Sequence, residues 1–189
     1  VVFASTANDL VTILPTTGGR KHIYIRDLSG GTTRINGTDG VSAVEPNSSS
    51  DSPSISADGR FVVFQSTATN LVAGQGGTLN RSHIFIHDRN DATTTRINGI
   101  GGAEPNSHSY NPVITPNGRY VAFESLAGNF PGYISITSHT WVYDREAIAP
   151  GLELVDVSTD GNGSNGGSKA PSISADGRYV AFESGASDL

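Results

Sequence analysis

The chain has 189 residues, 35% of them apolar, with 23 glycines, no cysteine and a net charge of −6. A chain without cysteine forms neither a disulfide scaffold nor a thiolate metal site, and a negative charge disfavours nucleic acid as a partner. No apolar run approaches the ~20 residues that a membrane-spanning helix needs, so we also expect no membrane insertion.

A repeat of 59 residues organises the sequence. Pro-Ser-Ile-Ser-Ala-Asp-Gly-Arg occupies Pro53–Arg60 and Pro171–Arg178, and a variant of it occupies Pro112–Arg119. Recurrence at a fixed period indicates a repeat architecture. We treat residues 1–189 as a single repeat region with units at approximately 1–50, 51–109 and 110–168 and a partial unit at 169–189.

Each complete unit predicts four short strands, because apolar and polar residues alternate between segments rich in Gly, Asn, Asp and Pro. In the second unit we expect strands a, b, c and d at Ser54–Ala57, Arg60–Ser66, His83–Asp88 and Thr93–Asn98. Asp58-Gly59 between the first two predicts a two-residue type I′ hairpin turn. The pattern predicts an all-β fold, a β-propeller-type array of four-stranded antiparallel blades.

The first and last units are incomplete, so the predicted strand order is b-c-d, a-b-c-d, a-b-c-d, a-b. Val1–Leu10 and Val180–Leu189 are copies of the same element. About three blades are too few to close a ring, since propellers typically have four to eight. Open sheet edges promote association. The strands that we expect to take part carry Val1, Val2, Phe3, Val180, Ala181 and Phe182.

The expected partners of these strands are further copies of the chain or a continuation of the same polypeptide. Two copies in a closed symmetry would give a six-bladed ring, and a head-to-tail contact that does not close would give a filament. The acidic, cysteine-free and turn-rich composition favours the filament.

The string Ile-Ser-Ala-Asp-Gly-Arg-Tyr-Val-Ala-Phe-Glu-Ser at Ile173–Ser184 resembles the WD-like β-propeller repeat. That family includes the propeller of the Tol system and long tandem repeats of exported bacterial proteins. The resemblance implies an extracellular or cell-surface location, with the periplasm as the alternative. Long versions of the repeat often carry an acidic, calcium-type loop between strands b and c. The corresponding loop, Ala73–Asn80, has no acidic residue, so we expect no cofactor, and Ca²⁺ is the one that the resemblance leaves open.

Few residues suggest catalysis. Glu45 and Glu104 recur one period apart, but Gly163 takes the third position, so a general acid and base pair is disfavoured. His83 and His87 share a face of strand c and could bind a metal, yet His87 is not repeated. We expect no enzymatic activity.

Other repeated side chains have structural interpretations that we favour over functional ones. Asp27, Asp88 and Asp144 end strand c and are expected to accept backbone bonds in the next turn, with a ring of metal ligands as the alternative. The aromatic residues of strand c, namely Tyr24, Phe85 and Trp141, are expected to pack between blades and not to form a sugar platform.

Three classes of function remain open at the level of sequence. We favour a structural or assembly module, a self-associating repeat protein such as a filament or surface-fibre subunit. The alternatives are a propeller that binds a glycan or peptide and the non-catalytic propeller of a larger hydrolase.

Overall fold

The computed structural model describes residues 1–11, 19–37, 44–74, 78, 80–99, 103–130, 137–148 and 151–189. Within these ranges the chain forms only strands: β1 Val2–Ser5, β2 His22–Arg26, β3 Thr32–Arg34, β4 Ser50–Ile55, β5 Phe61–Ser66, β6 His83–Asp88, β7 Thr93–Arg96, β8 Ser109–Ile114, β9 Tyr120–Ser125, β10 His139–Asp144, β11 Leu152–Leu154, β12 Ser168–Ile173 and β13 Val180–Ser184. The described part of the chain holds no helix long and apolar enough to cross a membrane.

The strands pair into four antiparallel sheets, which we number as blades. Blade 1 has the order β1-β2-β3, blade 2 the order β4-β5-β6-β7, blade 3 the order β8-β9-β10-β11, and blade 4 consists of β12 and β13. Strands a and d form the edges of each complete blade, and b and c lie between them. The predicted all-β fold, with four-stranded blades and incomplete terminal blades, is confirmed.

The core lies between the blades, because the middle strands bury both of their faces. Along β5, Val62 and Phe64 join a cluster with Ile23 of blade 1, whereas Phe61 and Val63 join a second cluster with residues of blade 3. Alternate side chains of a strand point to opposite faces of the sheet, so one strand serves two interfaces. Burial of each such side chain contributes about 1.5–3 kcal/mol.

Strand a differs from the prediction. It begins at Ser50, four residues before the expected Ser54, and contains a β-bulge between Asp51 and Ser54. Ser52 in this bulge has a φ of 49°. The prediction was wrong because Pro53, which lacks an N–H, is tolerated within an edge strand at a bulge. The left-handed residue recurs at Asn111 and Ala170, with φ of 51° at both.

The hairpin between strands a and b is also built differently. Only Gly59 of the Asp58-Gly59 pair has positive φ, at 72°, so the predicted type I′ turn is wrong. The Gly59 N–H donates to the Ser56 carbonyl over 3.0 Å, and the Arg60 N–H donates to Asp58 Oδ1 over 3.0 Å. This carboxylate bond favours a turn that needs positive φ at glycine alone.

The bulge predicts opposite effects of glycine at two positions of blade 4. Ala170→Gly should raise the free energy of unfolding by roughly 0.5–1 kcal/mol, because an L-residue with positive φ is strained. Ala181→Gly, in the adjacent regular strand, should lower it by about 0.5–1 kcal/mol. Urea unfolding at low protein concentration measures both. A loss of stability in both variants would contradict a strained bulge.

Candidate functional site

Blades 2, 3 and 4 are joined through an aromatic side chain that packs against a glycine. Phe61 at the start of β5 contacts Gly118 of blade 3, and Tyr120 at the start of β9 contacts Gly177 of blade 4, so closely that neither glycine has room for a Cβ. Both glycines also have a φ of +75°. Space and backbone conformation therefore both require glycine here.

A hydrogen bond accompanies this contact at each of the two junctions. The N–H of the bulge residue Asn111 donates to Gln65 Oε1 of blade 2 over 2.8 Å, and that of Ala170 donates to Glu124 Oε2 of blade 3 over 2.9 Å. The bulge therefore turns an N–H of strand a toward the preceding blade in blades 3 and 4, whereas the Ser52 N–H of blade 2 donates to Asp51 Oδ1. We call the aromatic–glycine contact together with this bond the blade joint.

A bidentate ion pair connects strands b and c within each complete blade. Arg60 donates to Asp88 through Nε over 3.0 Å and Nη2 over 2.7 Å, and Arg119 does so to Asp144 over 2.9 and 2.8 Å. The Arg60 guanidinium also lies 4.7 Å from the ring centroid of Phe61. The hydrogen bond from the arginine holds the pKa of each aspartate below its usual range.

The aspartates that end strand c also accept turn bonds, as the sequence interpretation expects. Asp88 Oδ1 accepts from the Asn90 N–H, and Asp27 Oδ1 accepts from the N–H and hydroxyl of Ser29. The arginine partner of Asp88 was not anticipated, although Arg60 and Asp88 recur in register and the repeat could have revealed the pair.

Blade 4 presents one side of a further joint. Arg178, Tyr179 and Glu183 occupy the positions of Arg119, Tyr120 and Glu124 one period earlier. Tyr179 is 63% exposed, whereas Phe61 is 5% exposed. The Arg178 guanidinium lies 5.2 Å from the Tyr179 ring centroid, as in the preceding blades.

An open cleft of about 340 Å³ lies on blade 3, between residues of its strands b, c and d that include Tyr120, Val142 and Leu152. At the equivalent place on blade 2, Tyr143 and Arg145 of blade 3 cover the strands, and a cleft of about 160 Å³ remains. Strand c of a following blade therefore fills most of this space where such a blade is present.

The terminal-strand residues predicted to mediate assembly lie in two different sheets. Val2 and Phe3 belong to β1 of blade 1, and Val1 bonds the backbone of Arg26 just outside it. Val180, Ala181 and Phe182 belong to β13 of blade 4. The structure does not pair these strands with each other, and their part in assembly stays a prediction.

A buried polar cluster, missed in the sequence, links each blade to the next. In blade 2, Asn98 Nδ2 donates to Ser109 Oγ of blade 3 over 2.9 Å, and Ser109 Oγ donates to Ser125 Oγ over 2.8 Å. Asn36, Ser50 and Ser66 repeat these contacts between blades 1 and 2, both over 2.9 Å.

A histidine at the start of strand c completes each cluster. His22 and His83 lie 3.3 and 3.0 Å from Glu45 and Glu104, respectively. The third histidine, His139, lies 2.8 Å from Asp156, which replaces the asparagine of the other clusters. Gly163 occupies the position that Glu45 and Glu104 occupy in the other units, so in blade 3 the histidine contacts the carboxylate of Asp156 instead. These three histidines stand two residues before the aromatic residues of strand c, Tyr24, Phe85 and Trp141, so alignment of the units would have found them.

The hydrogen bonds of these clusters are those of a buried structural network. His139 Nε2 lies 2.8 Å from Thr137 Oγ1, and its Nδ1 lies 2.8 Å from Asp156, the connectivity of a nucleophile, base and acid. His139 and Asp156 are 1% and 0% exposed, however, and Asp156 also accepts from the Thr140 N–H. Their burial favours a structural role.

The histidines and glutamates considered as metal ligands do not come together at one site. His83 contacts Glu104, whereas His87 contacts Thr94 Oγ1 over 3.0 Å. Among the described residues no group of three or more His, Asp or Glu side chains is placed to hold a metal. The loop predicted at 73–80 lies partly outside the described residues.

Burial lowers the pKa values of His22, His83 and His87. It is the largest cause for His83, whose pKa falls to about 4 although Glu104 opposes the shift. Burial and then the charge of Arg34 lower the pKa of His22. Burial raises the pKa of Asp156, but hydrogen bonds from His139 and Ser168 outweigh it and leave that pKa below its usual value.

No family model and no curated protein sequence matches the chain. Among solved structures, a putative TolB from Agrobacterium tumefaciens is 18% identical over 92% of this chain and 49% of that protein, with a TM-score of 0.57. TolB from Acinetobacter baumannii is 19% identical over 87% of this chain and 32% of that protein, with a TM-score of 0.51. The tricorn protease is 18% identical over 87% and 13%, with a TM-score of 0.51.

These likenesses confirm the β-propeller fold, and the resemblance to Tol-type propellers holds at that level. The chain spans between 13% and 49% of the length of these proteins.

The buried histidines predict a loss of stability in mild acid. Between pH 6.5 and about 4, His83 takes up a proton in the unfolded chain but not in the folded one. The free energy of unfolding should therefore fall as the pH falls through this window, by up to ~1.4 kcal/mol per pH unit for this residue. His83→Asn should reduce that slope, measured by urea unfolding at a series of pH values. An unchanged slope would contradict a neutral buried His83.

Proposed function

We propose that this chain is a non-enzymatic, exported propeller repeat protein that acts as a structural module by associating with further copies of itself. The observation that carries this proposal is the unfilled joint on blade 4. Tyr179 and Glu183 repeat residues that contact the next blade elsewhere in the chain, and Arg178 repeats the arginine that pairs with strand c of its own blade. Tyr179 is an exposed aromatic ring, and blade 3 offers an open cleft at the place where strand c of a following blade would lie.

Physical chemistry favours covering this surface. An exposed edge strand offers unpaired backbone groups, and an aromatic side chain gains strongly from burial. A second copy carries blades of the matching repeat, so its surface is chemically the kind that already packs against Phe61 and Tyr120. An exported location, extracellular or at the cell surface with the periplasm as alternative, remains part of the proposal.

The second candidate is the non-catalytic propeller domain of a larger protein, in which further blades of the same polypeptide cover blade 4. The specific observation in its favour is the partial coverage of the similar structures, 13% of the tricorn protease for example. A glycan-binding role is less well supported, because Tyr24, Phe85 and Trp141 are 0%, 4% and 2% exposed and cannot present a sugar platform.

Sedimentation of the purified chain over a range of concentrations tests self-association. We expect species heavier than the 19.6 kDa chain, in equilibrium with it. Tyr179→Ser should weaken association at least tenfold, since about 1.4 kcal/mol or more of aromatic burial is lost.

The matched control is Val157→Ser. Val157 is an exposed apolar residue in the loop before β12, at the end of β12 opposite to the hairpin that leads to Tyr179. The substitution should leave association unchanged. A 19.6 kDa monomer at every concentration would contradict self-association, and equal effects of the two substitutions would contradict the role of Tyr179.

A further inference from the structure

We propose that Asn162, in the loop between β11 and β12, is a site of spontaneous modification, where a succinimide formed with Gly163 converts the side-chain amide to a carboxylate. The inference concerns the chemistry of this loop and is independent of the proposed self-association. Glycine is the following residue that hinders such a ring least, because it has no Cβ. Five asparagines of the chain precede a glycine: Asn36, Asn98, Asn117, Asn162 and Asn165.

The reaction joins two groups of one short segment. The backbone nitrogen of Gly163 attacks Cγ of Asn162, the Cγ–Nδ2 bond breaks, and ammonia leaves with the proton that the nitrogen gives up. Water then opens the ring: opening at Cγ gives aspartate, and opening at the backbone carbonyl gives isoaspartate, whose main chain runs through Cβ and Cγ. Because the reaction is intramolecular, geometry decides its rate. The side chain must be able to turn, and the attacking nitrogen must not be held elsewhere.

Two of the five asparagines are buried, with both polar atoms of the side chain hydrogen-bonded. Asn36 Oδ1 accepts from the Ile23 N–H over 3.0 Å, and its Nδ2 donates to Ser50 Oγ over 2.9 Å. Asn98 makes the equivalent bonds one blade later, over 3.2 and 2.9 Å. Both asparagines are 0% exposed. Turning either side chain would break buried hydrogen bonds, so the fold protects these two sites.

Two further asparagines are exposed, but one of the two reacting groups is held at each. The Gly118 N–H, which would have to attack Asn117, donates to the Thr115 carbonyl over 2.9 Å. Asn165 is held through its side chain, because Oδ1 accepts from the Ser187 N–H and Nδ2 donates to Ser187 Oγ, both over 3.0 Å. At both sites hydrogen bonds must break before the ring can form.

The attacking nitrogen at the fifth site is turned away from its neighbouring segment. Val157 and Gly163 face each other as an isolated antiparallel pair. Two backbone hydrogen bonds flank the pair, from the Ser158 N–H to the Asn162 carbonyl over 2.7 Å and from the Ser164 N–H to the Asp156 carbonyl over 2.9 Å. Bonds on either side mark a non-hydrogen-bonded pair, so the Gly163 N–H points away from Val157.

The side chain of Asn162 is exposed in this loop, and it bonds Asp160, which also lies at the surface. Water can take the place of such a bond at little cost. Val44 and Ala103, the equivalent residues two periods and one period earlier, are exposed as well, although a complete blade follows each of them. Exposure at this position is therefore a property of the repeat.

Modification changes the surroundings of the buried cluster in blade 3. A carboxylate at position 162 faces the carboxylate of Asp160, which now accepts from the Asn162 N–H over 3.2 Å. Isoaspartate also lengthens the main chain by one carbon before Gly163. Ser164, the next residue, donates to Asp156 Oδ2 over 3.1 Å, so the displacement reaches the cluster. We therefore expect the isoaspartate form to unfold at a lower urea concentration than the variant Asn162→Asp.

Peptide mapping by mass spectrometry tests the assignment. The folded chain is kept in mildly alkaline buffer, and conversion of each Asn-Gly pair is followed with time, with fragment spectra to separate Asn162 from Asn165. Asn162 should convert at least about tenfold faster than Asn165, because two hydrogen bonds must break first at the latter. Conversion at Asn36 and Asn98 should be slower still. In concentrated urea, where these contacts are lost, the rates at the five sites should converge.

Gly163→Ala is the matched control. A Cβ beside the attacking nitrogen hinders ring closure, and the glutamates at this position in the first two units show that the backbone there accepts a side chain. The substitution should slow conversion at Asn162 by about tenfold or more and leave Asn117 and Asn165 unchanged. Equal rates at the three exposed asparagines of the folded chain would overturn the assignment, and so would a rate at Asn162 that Gly163→Ala does not change. Either result leaves the proposed self-association standing, since that is measured by sedimentation.

Discussion

The packing of an aromatic ring against a glycine of the following blade is the contact on which the rest of the structure depends. It requires positive φ at Gly118 and Gly177, an aromatic residue two positions after each hairpin glycine, and a bulge that turns an N–H toward the preceding blade. Because these features lie within the same short segment of the repeat, each blade carries both the ring for the next junction and the glycine for the previous one.

Buried polar groups add a second connection between blades. A neutral histidine, an asparagine and two serines are costly to bury unless their hydrogen bonds are made. Blade 3 keeps this balance with a different set of residues, since Asp156 provides the carboxylate that Glu45 and Glu104 provide elsewhere. The arginine that accompanies the glutamate in blades 1 and 2, Arg34 or Arg96, is replaced by Leu154 in blade 3.

Much of the fold could be predicted because the repeat shows each strand several times. Strand c at His83–Asp88 was placed correctly, and the incomplete terminal blades followed from the order of motifs. Strand a was misplaced because the left-handed residue of its bulge is Ser52, Asn111 or Ala170, three residue types that share no propensity for positive φ. Tertiary contacts hold this conformation, so local sequence could not reveal it.

The candidate site was less predictable than the fold. The residues of the blade joint were visible as repeats, but which blade each contacts depends on packing between sheets. The strand residues Val1–Phe3 and Val180–Phe182 were identified as an equivalent pair, and the structure adds the exposed groups beside the second of them, Arg178, Tyr179 and Glu183.

Hydrogen exchange as a function of protein concentration tests the central claim, that a second copy completes the open joint, most directly. At concentrations where heavier species form, the amides of Val180–Ser184 that face away from β12 should become protected. Unchanged exchange in this strand while association proceeds would contradict the account.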